Sequence, residues 1–184
     1  MLRTLLFLAL LTATTQAQDI LFIGNSYTGQ IKQTLTALVA SSPHAGAKLT
    51  FITPGGRTLA QHLTKPKTTT TIKTGKHTHI VLQDQSQTPA ITPKKFLTAS
   101  SELVALINAT GAKPVYYLTW GRRNGDKANS ELFPTYSKMQ DALSQSYTAA
   151  AERDSALIAH VGEAFRIVHD EKPELFATLY KGDA

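Results

Sequence analysis

Cysteine is absent from all 184 residues of the chain. Its absence excludes a disulfide framework, a thiol nucleophile and a thiolate metal site, so packing alone must stabilise the fold. Long hydrophobic runs are also absent: the longest lies within the first 17 residues and is far shorter than the roughly 18 apolar residues that a membrane-spanning helix needs. We therefore expect no membrane span.

The first 17 residues, "MLRTLLFLALLTATTQA", have the pattern of a secretory signal peptide. An early arginine precedes an apolar run from Leu5 to Leu11, and the small residues Thr15 and Ala17 precede the expected cleavage after Ala17. This pattern predicts a secreted or periplasmic protein. The remaining residues, 18–184, are predicted to form one domain, because their number suffices for a single hydrophobic core.

Acidic residues are fewer than basic ones, 13 against 19, which gives a net charge of +6. A loose group of four lysines lies in a threonine-rich stretch: Lys65, Lys67, Lys73 and Lys76. No aromatic residues are interleaved with them, so the group is typical of a solvated surface, and we expect no nucleic-acid partner. Attraction to anionic polymers outside the cell remains open.

Phosphate-binding and metal-binding patterns are missing as well. The chain contains neither G-x-G-x-x-G nor G-x-x-x-x-G-K-[ST], which disfavours a flavodoxin-like nucleotide binder. It has no His-x-x-x-His pair and no carboxylate cluster, and His77 with His79 is only a weak candidate pair. We expect no metal and no cofactor.

Five short apolar runs alternate with longer amphipathic stretches, and this alternation predicts the fold. Runs such as "ILFI" and "IVL" are apolar throughout, which indicates strands buried on both faces of a parallel sheet. The sequence therefore predicts an α/β fold, a three-layer α/β/α sandwich around a five-stranded parallel sheet of the flavodoxin-like type. The predicted strands are residues 19–24, 48–53, 79–83, 114–120 and 156–162.

Three longer helices are predicted from the spacing of apolar residues and from their end signals. The first, 31–42, has one apolar face formed by Ile31, Leu35, Leu38 and Val39. The second, 93–111, opens with a proline and closes with a glycine. The third covers 135–154.

Polar residues and glycines follow each of the first four strands. Strand one ends in Gly24-Asn25-Ser26, strand two leads to Gly55 and Gly56, strand three to "QDQSQ" and strand four to "TWGRRNG". In a parallel sheet these exits meet at one edge, where function collects. Turn formation alone explains each glycine-containing exit, but it does not explain the amide cluster in "LQDQSQ".

A serine at a strand-to-helix turn can act as a nucleophile if a base takes its proton and donors stabilise the oxyanion. Ser26 has this position, and the free amides of the following helix favour an anion there. The N–H of Ser26, the N–H of a nearby glycine and one side-chain amide would form a three-donor oxyanion hole. A side chain at Gly56 would crowd the substrate carbonyl.

"LFIGNSYT" resembles the first motif block of the SGNH (GDSL-like) hydrolases, with Gly-Asn-Ser in place of Gly-Asp-Ser. "PGGRTL" resembles the second block, and the terminal "GDA" resembles the opening of the final Asp-x-x-His block. The resemblance runs from Asp19 to Ala184. It implies that Ser26 is the nucleophile and an oxyanion donor, that Gly56 is the second donor, and that Asp183 orients a catalytic histidine.

The third block departs from the family pattern Gly-x-Asn-Asp. Aligning the strand ends puts Gln83 at the Gly position and Gln85 at the Asn position, so a glutamine must complete the oxyanion hole. We favour Gln85, with Gln83 as second choice. This pattern is similar to a branch of the superfamily that is distinct from its well-known lipases.

The last block departs further, because Asp-x-x-His counted from Asp183 puts the histidine two residues after Ala184. We therefore expect the 184-residue chain to stop before its base, to be nearly inactive, and to expose apolar surface near strand one or five. Among internal histidines, His160 and His169 do not fit the motif. His62, on the helix after Gly56, is a candidate for lining the pocket.

The resemblance implies an exported serine esterase that forms an acyl-serine intermediate, with acetylated carbohydrate as the expected substrate class. We expect four residues to line the substrate: Asn25, His62, Trp120 and Arg122, with Arg123 beside them. A packed indole and two solvated cations are an equally good interpretation of Trp120 and the two arginines. The main alternative is a non-catalytic carbohydrate- or ligand-binding module, or an inactive fragment, on the same fold. The oligomeric state remains open.

Overall fold

The computed structural model of the protein describes residues 18–180. Two predictions fall outside these residues: the signal peptide at 1–17 and the role of Asp183. Both remain predictions.

Five parallel strands form the central sheet, and this confirms the predicted fold class. Their order across the sheet is β2-β1-β3-β4-β5, so the chain winds outward in both directions from the adjacent pair β1 and β3. The carboxyl ends of such a pair form the crevice in which open α/β sheets bind ligands. The strands are β1 (Asp19–Ile23), β2 (Lys48–Ile52), β3 (His79–Leu82), β4 (Lys113–Tyr117) and β5 (Leu157–Ala159).

Helices cover both faces of the sheet. In chain order they are α1 (Ser26–Gln30), α2 (Lys32–Ala40), α3 (Leu59–Leu63), α4 (Pro66–Lys73), α5 (Thr88–Ile91), α6 (Pro93–Asn108), α7 (Tyr136–Asp154), α8 (Val161–Glu171) and α9 (Pro173–Phe176). No helix in the described part of the chain is both long and apolar enough to cross a membrane.

The apolar strands supply two cores because successive side chains point to opposite faces of a sheet. In β1, Leu21 and Ile23 belong to the larger cluster, which also contains residues of α3, α4, α6 and α7. Phe22 points the other way, into an aromatic cluster completed by Trp120 and by residues of α7, α9 and the C-terminal segment. Burial on both faces is the physical reason for the unbroken apolar run "ILFI".

The predicted strand ends were too late at β4 and β5. The run predicted as 156–162 ends as a strand at Ala159, and α8 begins at Val161. Apolar content does not distinguish a strand end from the first turn of a buried helix.

The threonine-rich stretch contains the short helix α4, which opens with Pro66.

Leu38, on the apolar face predicted for the first helix, is 60% exposed. Helix α2 has no buried residue, and its contact with the aromatic cluster is made by Leu35. The edge strand β5 also exposes an apolar side chain, Leu157.

Candidate active site

The turn after β1 places Ser26 in solvent at the carboxyl edge of the sheet. Asn25 precedes it as the N-cap of α1, where its Oδ1 accepts the N–H of Tyr27 at 3.1 Å. The Asn25 Nδ2 donates to the carbonyl of Arg57 at 3.1 Å, and the residue is only 2% exposed. The expectation that Asn25 lines the substrate is therefore not met, because its side chain ties the serine turn to the loop after β2.

The side chain of Gln83, at the exit of β3, is hydrogen-bonded to the same turn. Its buried Oε1 accepts the N–H of Asn25 at 2.9 Å and the hydroxyl of Thr28 at 2.8 Å. Its Nε2 donates to the carbonyl of Asp84. Gly24 leaves room for this amide, since a Cβ there would lie 2.6 Å from Oε1. Both ends of the Gln83 amide are engaged within the protein.

Gln85 differs from Gln83 because its donor group is nearly free. Its Oε1 caps α5, accepting the N–H of Gln87 at 2.8 Å and the N–H of Thr88 at 3.2 Å. Its Nε2 has one acceptor among the described residues, the hydroxyl of Ser86 at a long 3.5 Å. Of the two glutamines, Gln85 has the donor capacity that an oxyanion requires.

The loop after β2 presents Gly56 in solvent with a left-handed backbone, φ 65°. A Cβ at this position would meet no protein atom within 4 Å. The local reason for glycine is therefore its backbone conformation, which side chains rarely adopt. Among the described residues, neither the Ser26 N–H nor the Gly56 N–H has a hydrogen-bond acceptor.

Asp84 is a buried carboxylate that the sequence interpretation missed. Its Oδ1 accepts the N–H of Leu59, the first residue of α3, at 3.0 Å and the N–H of Gln85 at 2.6 Å. Its Oδ2 has no partner among the described residues. Burial raises the pKa of Asp84 to about 6, against the opposing effect of the two backbone bonds. An acidic residue directly after the apolar run "HIVL" is a signal that could have identified it.

The raised pKa of Asp84 gives a testable pH dependence. The folded state binds this proton more tightly than the unfolded chain, so the contribution of Asp84 to stability is complete below about pH 4 and is lost as the pH rises through 6. We expect the free energy of unfolding of the wild type, minus that of Asp84→Asn, to fall by about 2–3 kcal/mol between pH 4 and 7. Denaturant titrations at several pH values measure this difference. The same substitution at the exposed Asp170 is the control, and a pH-independent difference for Asp84→Asn would contradict the assignment.

His62 is fully buried on α3 and does not line a pocket, which corrects that expectation. Its Nε2 lies 2.8 Å from the carbonyl of Gly24, which can only accept, so Nε2 carries the proton. Its Nδ1 faces the hydroxyl of Thr68 at 2.9 Å. Burial lowers the pKa of His62, and the charge of Arg57 adds to this, against the opposing bond to Gly24. His62 is a neutral link between α3, α4 and the exit of β1.

All six histidines lie within the described residues, and none is hydrogen-bonded to Ser26. His77 pairs with Asp19 at 2.7 Å, at the start of β1 and so at the opposite edge of the sheet. His160 is the N-cap residue of α8, directly after β5. Strand β5 lies three strand spacings from β1, or about 14 Å across the sheet. Residues 18–180 therefore bring no proton acceptor of this type to the serine.

Tyr27, the residue after Ser26, lines a cavity of about 680 Å³. The chain segment after β4 forms one side of it, including Arg122 and Arg123. Their role in lining the substrate remains a prediction. Trp120 lies one layer deeper and is 5% exposed. It stacks on Tyr27 at 4.7 Å and on Phe165 at 4.4 Å between ring centroids. Trp120 is thus the packed indole of the alternative interpretation.

No group of three or more His, Cys, Asp or Glu side chains that could hold a metal ion occurs in the described part of the chain. The polar groups at the strand exits include amides, backbone N–H groups, the Ser26 hydroxyl and the single buried carboxylate of Asp84. This set suits attack on a carbonyl carbon and stabilisation of the resulting oxyanion.

Solved structures with a similar fold include several esterases. A protein from Slackia heliotrinireducens, classed among the SGNH hydrolases, superposes with a TM-score of 0.71 and 28% identity over 82% of this chain and 83% of that one. The acetyl xylan esterase AlAXEase superposes with a TM-score of 0.64 and 12% identity over 85% and 84%. The psychrotrophic esterase EstA from Pseudoalteromonas sp. superposes with a TM-score of 0.54 and 16% identity over 77% and 76%.

At such low identities the two esterases show similarity of fold alone. No protein-family model matches the sequence, and no curated protein is a significant match. The Slackia protein has a higher sequence identity to this chain than the two esterases, and its match covers most of both chains.

Proposed function

The chain belongs to the SGNH hydrolase superfamily, and from this premise we propose that it is a serine esterase with Ser26 as its nucleophile. One observation carries the proposal. An exposed serine lies at the exit of β1, beside the switch point of the sheet. The N–H groups of Ser26, at the start of α1, and of Gly56, on the loop after β2, have no acceptor among residues 18–180. Unpaired donors at such an edge are the groups that stabilise an oxyanion.

In the proposed reaction, Ser26 Oγ attacks the carbonyl carbon of an ester and its proton passes to a base. The tetrahedral oxyanion accepts hydrogen bonds from the N–H groups of Ser26 and Gly56 and from Nε2 of Gln85. Collapse breaks the ester C–O bond, and the alcohol leaves with the proton. Water then attacks the acyl-serine, which releases the carboxylic acid and restores Ser26.

We propose that Asp183 orients the histidine that acts as the base, as the resemblance to the Asp-x-x-His block implies. The position of Tyr180 supports this. Tyr180 lines the cavity that begins at Tyr27, and its hydroxyl donates to the carbonyl of Gly121 at 2.7 Å. Asp183 is only three positions after Tyr180 in the sequence.

Export and an acetylated carbohydrate substrate are further parts of the proposal. The pattern of residues 1–17 supports export. The polar edge of the sheet, with amides and guanidinium groups near Ser26, supports a substrate that is rich in hydroxyl groups. We propose that the bond cleaved is an acetyl ester on such a polymer.

A binding module is the second candidate, because no histidine among residues 18–180 contacts Ser26. Acetate release from 4-nitrophenyl acetate and from acetylated xylan separates the candidates, using protein expressed from the complete reading frame. Release from both substrates is the expected result. Release from the nitrophenyl ester alone would contradict the carbohydrate substrate, and retention on xylan without any release would favour the module.

The two glutamines give a prediction that tests the oxyanion hole. Gln85→Leu should lower kcat by about 10²–10³-fold, because one donor to the oxyanion is lost. It should lower the melting temperature only slightly, because the partly buried N–H groups of Gln87 and Thr88 lose their acceptor. Gln83→Leu should lower the melting temperature more, because Asn25 N–H and the Thr28 hydroxyl lose their buried acceptor. Gln33→Leu, at an exposed position on α2, is the control. Equal losses of stability for Gln83→Leu and Gln85→Leu would contradict the distinction between them.

A further inference from the structure

Three cationic side chains line the cavity beside Tyr27: Arg122, Arg123 and Lys127. No acidic side chain lines it among the described residues. Arg123 and Lys127 are exposed, and neither forms an ion pair within the described part of the chain. Solvated cations are common on protein surfaces, so their number alone does not indicate a ligand.

The segment that carries these cations has a tightly packed backbone. A Cβ on Gly125, which has φ 74°, would lie 2.3 Å from the carbonyl oxygen of Phe133. The N–H of Gly121 donates to Oε1 of Gln140 at 2.8 Å, and its carbonyl accepts the hydroxyl of Tyr180 at 2.7 Å. A fixed backbone reduces the conformational entropy that a ligand must overcome when it binds such side chains.

Asp126 orients Arg122 from beneath the cavity. Its fully buried carboxylate accepts Nη1 of Arg122 at 2.8 Å, Nε2 of Gln87 at 2.6 Å and Nδ2 of Asn129 at 2.8 Å. Burial alone would raise the pKa of Asp126, but these hydrogen bonds and the Arg122 charge lower it, so the carboxylate stays ionised. The three lining cations and the one buried carboxylate that binds Arg122 together carry a formal excess of two positive charges.

The bond to Asp126 uses only Nη1 of Arg122. The Nε and Nη2 groups on the other edge of the guanidinium have no acceptor among the described residues. Two parallel N–H groups on one edge match the two oxygens of a planar carboxylate. Arg122 is thus held in place with its bidentate edge unused.

From this arrangement we infer that the cavity is a subsite for a carboxylate, and that the preferred esters are those that also carry an ionised carboxylate group, whether on an acidic acetylated polymer or on the acyl part of a small half-ester. The inference rests on the proposed function of Ser26, because the cavity begins at the residue that follows it. Arg122, Arg123 and Lys127 would bind the anionic end of the substrate while Ser26 attacks the ester end. The positive excess would also attract such substrates from solution, most strongly at low ionic strength.

Binding can be measured without hydrolysis in the Ser26→Ala variant of the complete chain. Trp120 is the only tryptophan and stacks on Tyr27, so its fluorescence reports on the cavity wall. Monoethyl succinate, a monoanion, should bind saturably and at least about 10-fold more tightly than neutral diethyl succinate. Adding Arg123→Gln and Lys127→Gln should weaken binding of the monoanion by about 10-fold. The pair Lys65→Gln and Lys67→Gln removes the same charge from exposed positions on and beside α4, and should change binding less than twofold.

A kinetic pair of substrates separates this inference from the proposed function. The ratio of kcat/KM for 4-nitrophenyl hemisuccinate to that for 4-nitrophenyl acetate should exceed one, and should fall about 10-fold in the Arg123→Gln, Lys127→Gln variant. Ser26-dependent hydrolysis without preference for the anion would overturn the subsite and leave the esterase proposal standing. Selective binding of monoethyl succinate without hydrolysis of either ester would keep the subsite and overturn the esterase. Equal weakening by the Lys65, Lys67 control pair would also overturn the subsite, because the effect would then be one of net charge.

Discussion

Ser26→Ala is expected to lower kcat/KM for 4-nitrophenyl acetate by about 10⁴-fold or more in protein expressed from the complete reading frame. Without the hydroxyl no acyl-enzyme can form, and the remaining donors act only on slow attack by water. Stability should change little, because the exposed Ser26 side chain forms no hydrogen bond with another described residue. The melting temperature of the variant should stay within about one degree of the wild type.

Steady-state hydrolysis and a thermal unfolding curve, recorded on the same preparation, test both halves of this expectation. Ser41→Ala, at another exposed serine, is the matched control and should keep wild-type activity. Retention of a tenth or more of the wild-type kcat/KM by Ser26→Ala would contradict the assignment of the nucleophile. Loss of activity together with a large drop in melting temperature would show a structural role for Ser26 instead.

Gly24→Ala is expected to destabilise the protein by about 2–4 kcal/mol, a large effect for one methyl group. The new Cβ would lie 2.6 Å from Oε1 of Gln83 and 2.8 Å from Oγ1 of Thr28. Neither atom belongs to a mobile surface side chain, since both residues are buried and hydrogen-bonded to each other. Relief of the clash must move Gln83, and with it the turn that carries Ser26.

The melting temperature of Gly24→Ala should fall by roughly 4–16 °C, since 1 kcal/mol corresponds to roughly 2–4 °C in a domain of this size. Gly46→Ala is the matched control: a Cβ at Gly46 meets no atom within 4 Å, and its φ is not in the left-handed region. The same change there should be neutral or slightly stabilising. Equal melting temperatures for the two variants would mean that the Gln83 amide moves away without cost, against the clamp described above.

The five strands of the sheet could be predicted because strands that are buried on both faces have a continuously apolar sequence. The runs "ILFI" and "IVL" are apolar on both faces, as the two cores require. Element ends were less predictable at β5, where strand and helix share one apolar stretch. The exposure of Leu38 could not be predicted, because a helical stripe shows only which side chains lie together, and no residue of α2 is buried.

At the site, sequence predicted which positions collect at the sheet edge but not what each side chain contacts. Ser26 and Gly56 follow from motif positions. The bonds from Asn25 to Gln83 and from Gly24 to His62 join residues 58 and 38 positions apart. Such pairings depend on how the loops fold onto each other, so a buried His62 and an exposed one have the same local sequence. Asp84 shows the converse case. An acidic residue directly after a buried strand can be recognised from the sequence, because burying a carboxylate costs free energy.

Reaction of the wild-type protein with a fluorophosphonate, followed by peptide mass spectrometry, tests the central proposal most directly. An activated serine displaces fluoride and keeps the phosphonyl group on Oγ, so one adduct per chain is expected, on the peptide that contains Ser26. The adduct should be absent from Ser26→Ala. A stoichiometric adduct on a different residue, or no adduct on a protein that hydrolyses 4-nitrophenyl acetate, would contradict Ser26 as the nucleophile.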